Sequence, residues 1–342
     1  MSRRSRRITL LTIVFCSLIF SLFTVFVQAR ELVQESQDGF AALQEGGFQA
    51  DNHQQMMNGH RGNPFQYRIL SEWLVEGAIV ALKSTSFPFP TPTAFIGVRI
   101  LQNLLIFIVA AYYYKKLGLT TYGAVLGLAI LAWSMTQALY AADLQFNTYS
   151  DVLFYLLAGL AIVHRRYLWI IPIVVLAALN RETSGLIPLM LIADQLQIQP
   201  KLYIPRQSLV IAGVALALYI AVFVGLRVAY GPQDLLIPYG HHIGLELLSY
   251  NLTLPATYIE VFGVLSVLPV MAILSMSRWP RILTRFFWAV VPLWFVIHLF
   301  ASVIAESRLL LVPMALVFIP GTLLGAIAIL DRGRTNPITV NK

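Results

Sequence analysis

The sequence predicts an all-α fold: a polytopic membrane helical bundle of about ten transmembrane helices, with an external first loop that carries an interfacial amphipathic helix. Three observations predict it. The 342 residues are 58% hydrophobic and only 12% charged, about half the charged fraction of an ordinary soluble domain. Apolar runs of roughly 20 residues, long enough to cross a hydrocarbon core of about 30 Å, recur as far as residue 330. Basic residues gather in the short segments between alternate runs, as cytoplasmic loops require.

The first run, "ITLLTIVFCSLIFSLFTVFVQ", follows four arginines. It is too long for a signal peptide and no small-residue cleavage site follows it, so it reads as a retained span. Residues 1–28 are then a cytoplasmic tail and first span, 29–92 an external loop, 93–330 nine further spans and 331–342 a cytoplasmic tail. The spans fall at about 8–28, 93–114, 119–140, 152–164, 167–180, 184–197, 208–229, 255–276, 285–304 and 309–330. With the N-terminus inside, 16 of the 24 Lys and Arg residues are cytoplasmic, against only Asp194 and Asp331 of the 16 acids. The net charge of +8 therefore reports orientation. Nucleic acid is not implied, because the basic residues form no aromatic-laced face. Cys16, the single cysteine, allows no intramolecular disulfide and no cysteine metal cluster.

Within the external loop, Ile69, Leu70, Trp73, Leu74, Gly77, Ala78 and Ala81 recur at helical spacing, which predicts an interfacial amphipathic helix. The fourth to sixth spans are each only about 12 to 14 residues long, too short to cross unaided. Short helices among full-length ones leave a recess open to the outside.

The informative charges lie around that recess. Arg181 and Glu182, in "NRETS", fall at the tip between the fifth and sixth spans. An ionisable residue at membrane depth is a functional-site hypothesis by default, and the alternative is a local pair that pins the hairpin tip. Asp143 and Asp151 bracket the turn before the fourth span, with Asn147 four residues from each. One helical face would present all three, or Asp151 serves only as an N-cap. Glu306 and Arg308, in "ESRLLLVP", repeat the pairing of acid with arginine between the last two spans, and Arg68 in "FQYRIL" faces the same way. Converging guanidiniums are a usual means of holding a phosphate, because they keep their charge and bind oxyanions bidentately. Snorkelling is the competing account of Arg99 and the preferred one for Arg227.

Asp51, His53 and His60 leave a divalent cation open, although their spacing matches no closed ligand set and no metal site is assigned. The simpler reading makes Asp51 a carboxylate base at the recess mouth. "NLT" at 251–253 has the form of a glycosylation acceptor. No Walker loop, GxSxG elbow or HExxH is present, so ATP-driven transport and serine proteolysis find no support.

The segments "DNHQQ", "FQYRIL", "NTYSD", "NRETS" and "ESRLLLVP", set in this order of span, long external loop and further spans, resemble the GT-C superfamily of polytopic glycosyltransferases and related bacterial membrane proteins. The resemblance implies transfer of a sugar from a polyprenyl-phosphate donor on the extracytoplasmic side of a bacterial inner (plasma) membrane. It implies membrane lipid and a lipid-linked sugar as partners. It would make Asp51 the base, with Arg68, Arg181 and Arg308 receiving the phosphate. Glu182, Asp151 and Glu306 would orient these arginines or bind sugar hydroxyls. The chain lacks the tight acid pair of many members, which leaves the base open among Asp51, Asp38 and Glu45. A transporter or flippase for an anionic lipid or solute would use the same arginines, but alternating access predicts matched broken helices in both halves. Only one short-helix hairpin stands out, in the first half. A non-catalytic membrane subunit is the third reading.

Overall fold

The computed structural model describes residues 3–35, 47–140, 145–197 and 201–335. In chain order the helices are α1 (Arg3–Glu35), α2 (Phe48–Met57), α3 (Ile69–Ser84), α4 (Pro90–Lys116), α5 (Thr121–Gln137), α6 (Phe146–Val163), α7 (Ile170–Asn180), α8 (Ile187–Gln195), α9 (Arg206–Tyr230), α10 (Leu245–Thr253), α11 (Pro255–Leu265), α12 (Leu268–Leu274), α13 (Arg281–Ala301), α14 (Leu311–Pro313) and α15 (Ile319–Thr335). Six helical stretches are long and apolar enough to cross a membrane, and α11 with α12 makes a seventh that bends by 60°. The chain is an integral membrane helical bundle. Helices stand at all ten predicted places, but α5 has 17 residues, α7 has 11 and α8 has 9.

Polar residues decide which face of an apolar helix turns inward. On α1, Ser17, Ser21, Thr24 and Gln28 recur at helical spacing and are buried, whereas Phe15, Leu22 and Phe26 are exposed. Ser21 Oγ donates to the Ile100 carbonyl at 2.7 Å, Asn103 Nδ2 to Thr24 Oγ1 at 2.9 Å, and Gln28 Nε2 to Tyr149 Oη at 2.9 Å. These bonds hold α1 to α4 and α6. Interhelical hydrogen bonds serve this purpose where lipid removes the hydrophobic preference for helix over solvent.

Between α14 and α15, Met314–Phe318 forms a π-helical turn. Tyr114 and Tyr113, both fully buried on α4, donate their hydroxyls to the carbonyls of Ala315 and Leu316 at 3.0 and 2.9 Å. A wide turn leaves its carbonyls poorly matched within the helix, and the two hydroxyls meet that need. At Gly321 a Cβ would come within 2.5 Å of the Trp279 ring, whose Nε1 donates to the Gly321 carbonyl at 3.0 Å.

The expected start of the fourth span needs correction. The fourth span begins at Phe146, not near 152, and is a full 18-residue helix. Its first turns, Asn147, Thr148, Ser150 and Asp151, look like a loop only because they are polar, and all four are buried against the protein. Asp151 is therefore inside the helix, and the N-cap is Gln145. The helix α3 forms where the spacing predicts it, and the face it turns to the protein is Ile69, Ser71, Glu72, Val75 and Ile79. Trp73 and Leu74 point outward, because α3 packs on α4, α6 and α7 and bonds them through polar groups as well as apolar ones.

Candidate functional site

The short pair α7 and α8 is made by a break at Asn180–Leu186. Arg181 is extended (φ −164°, ψ 149°), and a 3-10 turn over Glu182–Leu186 leads into α8. The interruption frees carbonyls from the helical pattern, and three of them accept from hydroxyls. Ser184 Oγ donates to the Arg181 carbonyl at 2.7 Å, Tyr219 Oη to that of Glu182 at 2.9 Å, and Tyr155 Oη to that of Thr183 at 2.5 Å. Irregular backbone at depth survives only when satisfied in this way.

Extended backbone sends neighbouring side chains to opposite sides. Arg181 and Glu182 consequently do not pair with each other. Arg181 Nη1 lies 3.6 Å from Asp151 Oδ2, whereas Glu182 Oε2 meets Arg68 Nη2 at 3.0 Å and its Nε at 3.1 Å. Glu182 thus holds Arg68 in place, and not its neighbour Arg181. Asp151 is fully buried and fixed by Asn180 Nδ2 and Thr183 Oγ1, both at 2.9 Å. It orients Arg181 from beneath.

The second break repeats the pattern. α13 ends at Ala301, and a 3-10 turn at Ser307–Leu310 opens the last helical stretch. Arg308 Nη2 donates to Glu306 Oε2 at 2.8 Å and Nη1 to the Tyr140 carbonyl at 3.2 Å. Asn251 fastens this corner. Its Nδ2 donates to the carbonyls of Leu299 and Ser302, and its Oδ1 accepts from the Ile304 amide. The side chain is 1% exposed, so the "NLT" triplet is a structural corner and not an accessible glycan acceptor.

A cavity of about 410 Å³ joins the two breaks. Arg68, Arg181, Glu182, His298 and Glu306 line it, and Leu235, Tyr239 and Ile297 supply apolar wall. The connection between α9 and α10 covers it. Asn63 donates its amide to the Asp234 carbonyl and accepts from the Leu236 amide, both at 2.9 Å. At Gly62, φ is +82° and a Cβ would sit 3.2 Å from the Asp234 carbonyl, so glycine is needed where the two strands of chain approach.

Arg181 has the greatest unused capacity. It is 4% exposed, and it makes the ion pair at 3.6 Å and a bond to Thr148 Oγ1 at 3.5 Å; Nε has no partner among the described residues. Five guanidinium N–H donors leave several for an incoming oxyanion. Arg308 stands behind the wall, with Glu306 between it and the cavity. His298 was not anticipated. Nδ1 is 2.7 Å from the Trp294 carbonyl, which can only accept, so Nδ1 carries the proton and Nε2 keeps its lone pair. Trp294 stacks on the ring at 4.6 Å.

Asp51 is exposed on the first turn of α2 and is not in the cavity wall. Asp143, Asp38 and Glu45 lie outside the described residues. His53 is bound on both nitrogens, to Glu72 at 2.5 Å and Glu76 at 2.9 Å. It clasps α2 to α3. Among the described residues no three His, Cys, Asp or Glu side chains converge as metal ligands. Arg99 neither snorkels nor reaches the cavity. It is 1% exposed, donates to Gln102 Oε1 and the Gln145 carbonyl, and lies over the rings of Phe146 and Tyr149.

Compared with protein-family models, curated proteins and solved structures, the chain matches none.

Proposed function

We propose that the protein is a GT-C-like membrane glycosyltransferase, which moves a sugar from a polyprenyl-phosphate donor to an acceptor on the extracytoplasmic side of a bacterial plasma membrane. The observation that carries the reading is Arg181. It is a buried guanidinium with unused donors at the wall of a cavity that Arg68, Glu182 and Glu306 share.

In the reaction, an acceptor hydroxyl oxygen attacks the anomeric carbon as the bond from that carbon to the phosphate oxygen breaks. The polyprenyl phosphate leaves with the electron pair, and Arg181 and Arg68 meet the charge that builds on it. The acceptor proton goes to a carboxylate. We assign this role to Glu182, which lines the cavity as Asp51 does not, with Oε2 held by Arg68 and Oε1 without a hydrogen bond among the described residues. Displacement on the face opposite the leaving group inverts the anomeric centre. The polyprenyl tail stays in the bilayer, because the site is built between helices of the bundle.

The test is transfer by the full chain in nanodiscs, assayed with a panel of polyprenyl-phosphate sugars. Arg181→Ala and Glu182→Gln should each lower turnover by about 10²–10³, and Asp51→Asn should leave it within a few-fold. Turnover that survives both of the first two substitutions overturns the site. No turnover with any donor, together with saturable binding of an anionic lipid, favours the transporter reading.

A further inference from the structure

We propose that a second cleft, at the other end of α13, binds a phosphate-bearing anion, the chemistry shared by an anionic phospholipid head group and inorganic phosphate. The cleft has a volume of about 580 Å³ where the C-terminal ends of α6 and α8 meet the start of α13. Arg165, Arg281 and Arg285 line it with a single carboxylate, Asp194, and Ile162, Val163 and Ile282 form an apolar side. Among the described residues none of these arginines is within ion-pairing distance of an acid. Arg285 donates to the Leu196 carbonyl, and this bond keeps its guanidinium at the cleft.

Arg165 and Arg281 are exposed at the cleft, and the start of α13 adds to the attraction for an anion. Arg281 and Arg285 sit at the start of a 21-residue helix that has no acid in its first turn and no side-chain cap. Cations there oppose the helix dipole, and the first amides have no carbonyl within the helix. An anion placed among the arginines satisfies both. Arg165 adopts φ +56°, a left-handed conformation that costs a non-glycine residue energy. Tyr167 lines the cleft, and the next two residues in sequence, Leu168 and Trp169, are 65% and 58% exposed. An aromatic and an aliphatic side chain turned outward beside charged groups mark the head-group level of a bilayer. Guanidiniums together with aliphatic side chains suit a head group whose tails run along the bundle. This cleft is separate from the cavity at His298: residues 285 and 298 of α13 are roughly 20 Å apart by helical rise.

The test uses the full chain in phosphatidylcholine nanodiscs with and without phosphatidylglycerol, and in detergent with inorganic phosphate. Thermal unfolding and lipid retention in native mass spectrometry are the readouts. Phosphatidylglycerol should raise the unfolding midpoint of the wild type and be retained over phosphatidylcholine. Arg281→Gln and Arg165→Gln should each lose the increment and bind about tenfold more weakly, while Arg206→Gln, an exposed arginine outside the cleft, keeps both. Increments are compared and not absolute midpoints, so a variant that is merely less stable is still informative. The same increment from inorganic phosphate alone supports the site with a soluble source. Equal midpoints under all three conditions overturn the proposal, as does an increment that Arg206→Gln loses as fully as Arg281→Gln.

Discussion

Arg181 and Glu182 show how far a pair of neighbouring charges can be read from sequence. Their place at a break between short helices was legible, because two charges interrupt an apolar run. Their partners were not: the extended conformation of Arg181 sends one side chain to Asp151 and the other to Arg68, and sequence spacing does not disclose that. Asp151 tests this arrangement. Asp151→Ala leaves Arg181 buried without its counter-charge and should cost about 3–5 kcal/mol in unfolding free energy. Asp151→Asn keeps the shape and the bond to Thr183, and should cost less. Asn251→Ala removes three bonds at the corner after α13, and should cost about 1–3 kcal/mol for the polar groups left unmet. Both are read by denaturation in detergent micelles. His298 carried no spacing signal, since one histidine in an apolar helix has the pattern of a core residue, and only the cavity singles it out.

At the scale of elements, periodicity located helices but not the residues that pack against the protein. Polar residues at the start of α6 looked like a turn but are buried in the bundle, so the helix is longer than its apolar run. α3 buries Ser71 and Glu72 while Trp73 and Leu74 face out, because partners on α2 and α7 repay the polar groups. The clasp of α2 on α3 has a definite pH dependence. Burial works against the His53 imidazolium, but the hydrogen bonds and charges of Glu72 and Glu76 outweigh it, and the pKa stands above its ordinary 6.5. A group with a raised folded pKa contributes fully below the unfolded value and loses the contribution as pH rises through the folded one. Hydrogen exchange of the α2 amides should therefore be slowest below about pH 6 and quicken, beyond the intrinsic rate, as pH passes above 6.5. His53→Gln should flatten that dependence. The π-helical turn makes a second prediction at this scale. Tyr113→Phe and Tyr114→Phe each strip one carbonyl of its donor, and each should cost about 1 kcal/mol, measured as a shift in denaturant midpoint.

At the scale of the whole molecule, the two cavities mark the two ends of the bundle, one with paired arginines and carboxylates and the other with arginines in excess. By the positive-inside rule the arginine-rich end is expected to face the cytoplasm, and labelling tests this. With Cys16 replaced by alanine, a single cysteine at His60 should react with an impermeant maleimide in intact cells, and one at Arg165 only after lysis. The reverse result would invert the orientation. Composition and run length were enough to determine a membrane helical bundle and the places of its longer apolar helices, because these follow from the cost of exposing polar backbone or charge to hydrocarbon. Only the tertiary structure decided which charges meet: that Glu182 belongs to Arg68, that Asp51 stands outside the cavity, and that His298 stands within its wall. Hydropathy is a property of segments, whereas an ion pair depends on the direction of each side chain, and that direction is set by how the helices break and pack.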